Sequence, residues 1–179
     1  MCVCVCVCPC GDSSIHAQLT LARLSQTFAV DVRGPFTASL PALAFENATR
    51  RNRPNLGVGS LVYARVASAP RDAEPTLSCT DVAGKASGFG LLSGGMPFEL
   101  DTRCARQLLS RPPPAALTAL GEALAFELVV GVNGRVWVNA GDVDTCVLVM
   151  QALQATAAGG GFTDVQVVRD LVARRDKST

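Results

Sequence analysis

The sequence predicts two consecutive domains: a small five-stranded Greek-key β-barrel of the OB type, then an α+β domain. Three observations carry this. Short alternating strands crowd roughly the first eighty residues. A glycine-rich stretch, Gly84 to Gly95, interrupts them. Beyond it, helical periodicities alternate with strands. With 179 residues and 49% hydrophobic side chains there is material for a core, and long disorder is not expected.

The first strand is read at Ile15 to Leu21, where Ile15, Ala17, Leu19 and Leu21 share one face. Phe28, Val30 and Val32 alternate with Ala29 and Asp31 in a second, and Gly34-Pro35 turns the chain. Ala38 to Leu40 is short and extended. Arg50, Arg51 and Arg53 form a basic loop closed by Pro54-Asn55. Val58 to Val66 alternates over its whole length and reads as a strand, as does Thr76 to Thr80. Five strands around one long loop give the barrel. The stretch from Gly84 to Gly95 suits a linker or tight turns.

In the second half, Phe98 to Leu100 is extended, and Thr102 to Ser110 is helical until Pro112-Pro113-Pro114 stops it. A second short helix covers Leu117 to Leu124. Strands at Leu124 to Val130 and Arg135 to Asn139 flank Asn133-Gly134, a hairpin signal because both residues tolerate positive φ. Asp142 is positioned to cap a helix reaching about Ala157, with Val143, Cys146, Val147, Met150 and Leu153 on its buried face. Gly159 to Gly161 ends it. Thr163 is positioned to cap a last helix bearing Val165, Val168, Leu171 and Val172. The domain reading is therefore 1–12 as a low-complexity start, 13–82 as the barrel, 83–160 as the α+β domain and 161–179 as a C-terminal helix.

Composition narrows the chemistry. Charged residues are 17%, against roughly 25% in an ordinary domain, which suggests a surface partly covered by partners. A net charge of +1 gives no global basic field, so nucleic-acid contact must come from a local patch. The single histidine, His16, argues against His-rich metal sites and against a nucleophile–histidine machine. No run approaches the ~20 apolar residues of a membrane span, and Met1 to Cys10 lacks a basic signal-peptide start. Five of the eight cysteines lie in that segment, alternating with valine as a UGUGUG nucleotide repeat would encode. It reads as low complexity or a gene-model artefact, with a thiolate site for Zn or Cu(I) as the weaker alternative. Cys79, Cys104 and Cys146 read as ordinary thiols.

Gly88 and Gly90 lack the third glycine and the lysine of phosphate-cradling loops, so enzyme use of that segment is remote. The strongest patch is Arg50-Arg51-Asn52-Arg53, extended by Arg65 and Arg71, because guanidinium forks suit phosphates. A solvated charged loop is the plain alternative. Aromatic interleaving is thin, with Phe45, Tyr63 and Phe89 nearby. Trp137 alternates with Val136 and Val138 and reads as core before base-stacking platform.

Three segments carry a resemblance: AFENATRRNRPNLGVGSLVYARV (44–66), EPTLSCTD (74–81) and ELVVGVNGRVWVNA (127–140). Together they resemble the ribosomal RNA-processing protein 40 (exosome component 3) family of RNA exosome cap subunits, over roughly Val30 to Leu153. The resemblance implies an N-terminal β-domain, an S-one barrel of OB fold and a KH domain. It implies a non-catalytic subunit with no cofactor and no metal, seated on RNase-PH-like ring subunits beside other cap subunits. Single-stranded RNA would be guided to associated 3′→5′ exoribonucleases, in nucleus, nucleolus and cytoplasm. The sister cap subunit and a free-standing RNA-binding adaptor are the alternatives. The resemblance also implies a structural element between the domains, built on Gly131, Asn133, Gly134, Arg135 and Trp137, in place of the GXXG loop of RNA-binding KH domains. Two departures stand out: Asn47 where the family has glycine, and Ser60 where it has aspartate after Gly59.

Overall fold

The computed structural model describes residues 14–19, 27–34, 36–71, 73–159, 161–162 and 164–176. The Cys-Val repeat, Leu21, Pro35 and Thr163 lie outside these. Two compact units divide between Ser93 and Gly94.

The first unit contains β1 (Ser14–Leu19), β2 (Thr27–Asp31), β3 (Ala38–Pro41), β4 (Leu61–Ser68), β5 (Thr76–Ser78) and β6 (Gly90–Leu92). They form one sheet in the order β1-β2-β3-β5-β4-β6, and β1 also pairs with β4. That last pairing closes five strands into a ring, which is the OB arrangement. All neighbours are antiparallel except β3 and β5, which run parallel with Ser39 opposite Thr76. Phe28, Val30, Ala38, Leu40, Val62, Ala64 and Leu77 are buried at alternate positions of their strands, as a half-buried ladder requires.

Two sequence readings shift. The alternation from Val58 suggested a strand start there, yet the strand starts at Leu61 and Val58 is 71% exposed in a turn. Period two alone does not register that Gly57 and Ser60 pair their backbones across this turn, Ser60 N to Gly57 O at 3.1 Å. The glycine-rich stretch, read as a linker or tight turns, carries β6 after its turns. Its Gly90, Leu91 and Leu92 pair with Tyr63, Val62 and Leu61 of β4. Cross-strand hydrogen bonds supply what the local composition lacks. Residues 83 to 93 accordingly belong to the first unit.

The second unit contains β7 (Met96–Glu99), α1 (Thr102–Leu108), α2 (Ala115–Ala123), β8 (Phe126–Val130), β9 (Arg135–Ala140), α3 (Val143–Ala158) and α4 (Val165–Asp176). The antiparallel sheet β7-β9-β8 and the four helices share one core, which includes Phe98, Leu108, Leu120, Leu128, Val136, Val138, Val149, Leu153 and Val168. Pro114 at the cap has no side-chain acceptor to offer, so the first turn of α2 is satisfied from outside: Ala116 N donates to Phe162 O at 3.1 Å. The Asp164 carboxylate accepts from Gln166 N at the start of α4.

The buried face of α3 differs from the sequence reading. Thr145, Cys146, Val149, Ala152, Leu153 and Thr156 are buried, Val147 and Met150 are half-buried, and Val143 is 71% exposed. Apolar residues stand on several sides of this helix, so its weak amphipathicity does not choose the face. Small residues let it sit close, and the Thr156 hydroxyl is satisfied by Ala152 O at 2.8 Å. Asp142 holds the cap position without a side-chain cap bond.

Trp137 is 4% exposed and its Nε1 donates to Gly94 O at 2.9 Å. Beneath it, a methyl on Gly95 would stand 2.5 Å from Val138 O and 2.8 Å from the indole, and Gly95 has φ +66°. Gly95→Ala is therefore expected to cost about 2–3 kcal/mol through overpacking and left-handed strain. In a unit of this size that is a fall in Tm on the order of 10 °C. A melt within 2 °C of the parent would show that the indole can move aside.

Candidate nucleic-acid interface

The basic loop is the β3–β4 connection, residues 42–60. Its base is tied to the barrel: Cys79 N donates to Ala44 O at 2.9 Å, and Phe45 bridges Cys79 in parallel. Burial pushes the Cys79 thiol up to about 12, so it is an inert core group. The tip is a self-braced turn. Thr49 N donates to Asn52 O at 2.9 Å, Asn52 N to the Thr49 hydroxyl at 3.0 Å, and Arg53 Nε to Arg50 O at 3.1 Å. Arg50 and Arg51 are exposed, whereas Arg53 is half-buried and helps hold the turn.

The strand directions decide which other cations join them. The β3–β4 loop leaves the end of β3 and enters the start of β4. The β4–β5 connection, residues 69–75, lies at the opposite end of the barrel, because β5 is parallel to β3 and antiparallel to β4. Arg71 is exposed there, away from the Arg50–Arg53 turn. Arg65 is half-buried on β4, and its Nε donates to Thr80 O, so part of its fork is used internally. The five arginines read from the sequence thus divide into an exposed pair, two braces and one residue at the far rim.

The aromatic residues divide as well. Tyr63 and Phe89 are buried and stack on each other, centroids 5.0 Å apart at 26°. Neither face is free for a base. Phe36 is the aromatic side chain the sequence reading passed over. It is 73% exposed in the β2–β3 connection. No periodicity marks a loop residue, so only burial distinguishes it.

Asn47 and Ser60, the two residues that differ from the expected pattern, have local reasons. Asn47 has φ +56°, the left-handed region where glycine is easiest and asparagine is among the best tolerated alternatives. The Ser60 hydroxyl accepts from Gly57 N at 3.2 Å, a bond a short carboxylate could also make. The loop is further held by Glu46, whose carboxylate accepts from Ala86 N at 3.2 Å. The 81–87 turn hangs on Asp81, which accepts from Lys85 N at 2.8 Å and the Ser87 hydroxyl at 2.7 Å.

In the second unit, Gly131 to Gly134 is the turn of the β8–β9 hairpin. Gly131 N donates to Arg135 O at 2.9 Å, Gly134 N to Gly131 O at 3.0 Å, and Leu100 N to Gly134 O at 2.8 Å. Asn133 Oδ1 accepts from Arg135 N at 3.3 Å, and Gly134 takes φ +84°. A phosphate-clamping loop needs amides pointing outward, and here both glycine amides are spent within the hairpin. The connection between α1 and α2 reads Leu109-Ser110-Arg111-Pro112-Pro113-Pro114 and has no glycine. Among the described residues no group of three His, Cys, Asp or Glu side chains is placed to hold a metal, and no helix is long and apolar enough to cross a membrane.

A closed OB ring followed by a three-stranded sheet with packed helices defines a two-domain protein of the S1–KH class. Family models agree in order and extent: the S1 domain of exosome complex component RRP40 matches residues 9–90, and a KH domain matches 95–144. Exosome complex component rrp40 of Schizosaccharomyces pombe is 42% identical over 156 residues, 86% of this chain and 65% of that protein. Exosome complex component RRP40 of Homo sapiens is 37% identical over 138 residues, 76% of this chain and 50% of that protein. The chain belongs to the RRP40 family of exosome complex components. Exosome complex component Rrp4 of the archaeon Thermofilum pendens is more distant, 27% identical over 146 residues, 77% of this chain and 59% of that protein. A crystal structure of an exosome complex RNA-binding protein shares the fold, with TM-score 0.74 at 18% identity, covering 96% of this chain and 98% of that one. The chain spans half to about two thirds of the length of these curated relatives.

Hydrogen bonds to Asp81 hold its carboxylate below the ordinary value of 3.8, the Ser87 hydroxyl first and the Lys85 amide next. A depressed carboxylate favours the folded turn above its unfolded value and loses that contribution as pH falls through the folded one. The Lys85 amide is therefore expected to exchange slowly above about pH 4 and to lose protection in more acid solution. Asp81→Ala should abolish the protection at neutral pH. Unchanged exchange in that variant would show that the turn has another anchor.

Proposed function

We propose that the chain is a non-catalytic RNA-binding cap subunit of the exosome. In this reading it stabilises the ring and guides single-stranded RNA toward the nucleases that process or degrade it from the 3′ end. Its partners are RNase-PH-like ring subunits, other cap subunits and associated exoribonucleases, in the nucleus, nucleolus and cytoplasm. Membership of a family whose relatives are named as exosome components supports this. The observation that carries the RNA role is the braced turn presenting Arg50 and Arg51 to solvent. A turn fixed by its own hydrogen bonds loses little entropy when the two forks meet phosphates.

Contact is electrostatic in this reading, with little sequence choice, because guanidinium–phosphate bonds read the backbone. Arg53 and Arg65 act indirectly by shaping the loop and the strand beneath it. The second unit contributes packing, since its glycine turn is internally bonded. Hydrolysis belongs to partners, and purified chain with labelled RNA and Mg²⁺ should leave the RNA intact. Degradation that survives stringent purification and disappears on replacing one acidic residue would overturn that.

Replacing Arg50 and Arg51 together by Ala isolates the RNA role, because neither guanidinium braces the turn. Stability should change by about 0.5 kcal/mol or less. RNA capture by the complex carrying the variant should weaken, and the slope of log affinity against log salt should flatten by roughly 1.4, the release expected for two single-strand phosphates. If ring assembly fails first, and the parent shows no RNA crosslinks at this turn, the turn is a protein interface.

A further inference from the structure

The opposite end of the barrel holds a feature that the arginine turn does not explain. A cleft of about 670 Å³ opens between the β2–β3 connection and the β4–β5 connection. Phe36, Pro70, Arg71, Glu74 and Pro75 line it, with alanines completing the walls. Its volume lies within the usual range for small-ligand sites. Phe36 is the only exposed aromatic among the described residues, every other Phe, Tyr and Trp being buried or half-buried. An exposed ring forgoes burial that is usually favourable by about 1.5–3 kcal/mol.

We propose that this cleft is a subsite for one unpaired base of single-stranded RNA, stacked on the face of Phe36. The inference rests on the RNA-binding reading above and adds a base contact to its phosphate contacts. Five properties of the cleft support it. It is built largely from the β4–β5 loop, one of the loops through which OB barrels take oligonucleotides. An exposed aromatic face stacks any base, whichever sequence passes. The exposed Arg71 beside it supplies a planar cation for the adjoining phosphate or for the far face of the base. The Glu74 carboxylate oxygens are acceptors, so they suit base N–H groups or a ribose 2′-hydroxyl rather than a phosphate. Pro70 and Pro75 restrict the backbone on either side of Arg71 and Glu74, which lowers the ordering cost of binding. The mixed charge argues against a second pure phosphate clamp and for a base with its sugar.

The test titrates full chain into a short single-stranded RNA carrying one 2-aminopurine, whose fluorescence is quenched on stacking. Phe36→Leu keeps apolar volume and removes the π-face, and Phe36→Tyr keeps the face. Because the ring is exposed, both should melt as the parent does. The parent should bind and quench, Phe36→Tyr should match it, and Phe36→Leu should bind about tenfold more weakly, a typical stacking loss, with the quench gone. A duplex of the same sequence should give no quench. If Phe36→Leu binds and quenches as the parent does, the subsite is wrong and the arginine-turn reading stands. If the parent binds no single-stranded RNA, both readings fall. If Phe36→Leu keeps RNA binding but loses ring subunits on pull-down, the cleft is a protein-docking surface and the proposal is overturned.

Discussion

Strand β4 is shared on both of its edges, and the first unit depends on that constraint. Arg65 stands opposite Ser14 of β1 on one side and Ser78 of β5 on the other. Leu61 stands opposite Gln18 on one side and Leu92 of β6 on the other. A five-stranded sheet of this size cannot bury its inner face unless its ends meet. β4 makes that closure, and it explains why Val62, Tyr63 and Ala64 are buried in succession. Val62 and Ala64 belong to one face. Tyr63 belongs to the other and is covered by Phe89 from the segment leading into β6.

The same strand directions set the chemistry of the two barrel ends. One end carries a long loop tied down at Ala44 and Phe45 and braced at Thr49 to Arg53, so two guanidinium groups are offered at little ordering cost. The other carries a proline-bounded connection with an arginine, a glutamate and an exposed phenylalanine. The exposed arginine pair and the exposed phenylalanine thus stand at separate ends of one small barrel. The second unit follows another logic. Its glycines close a hairpin and seat an indole, and their amides and carbonyls are spent inside the unit.

Local chemistry accounts for Asn47 and Ser60 in the long loop. A left-handed φ at residue 47 leaves a short list of acceptable residues, and asparagine is on it. A turn amide at Gly57 needs an acceptor, and a hydroxyl serves.

The sequence by itself determined the order and type of most elements. Alternation located β2, β3 and β5, the proline run separated α1 from α2, and Asn133-Gly134 marked the β8–β9 turn. These signals are local and need no partner to be read. It also determined the basic turn at Arg50 to Arg53 and, through three segments, the family. Tertiary structure alone decided the rest. β6 exists because β4 offers it an edge, and α3 buries Ala152 and Thr156 because its amphipathicity is weak and the neighbours choose the face. Arg71 parts from Arg50 because β3 and β5 run parallel, a relation between strands distant in sequence. Phe36 becomes a candidate contact only through its exposure, which depends on what the folded chain leaves uncovered.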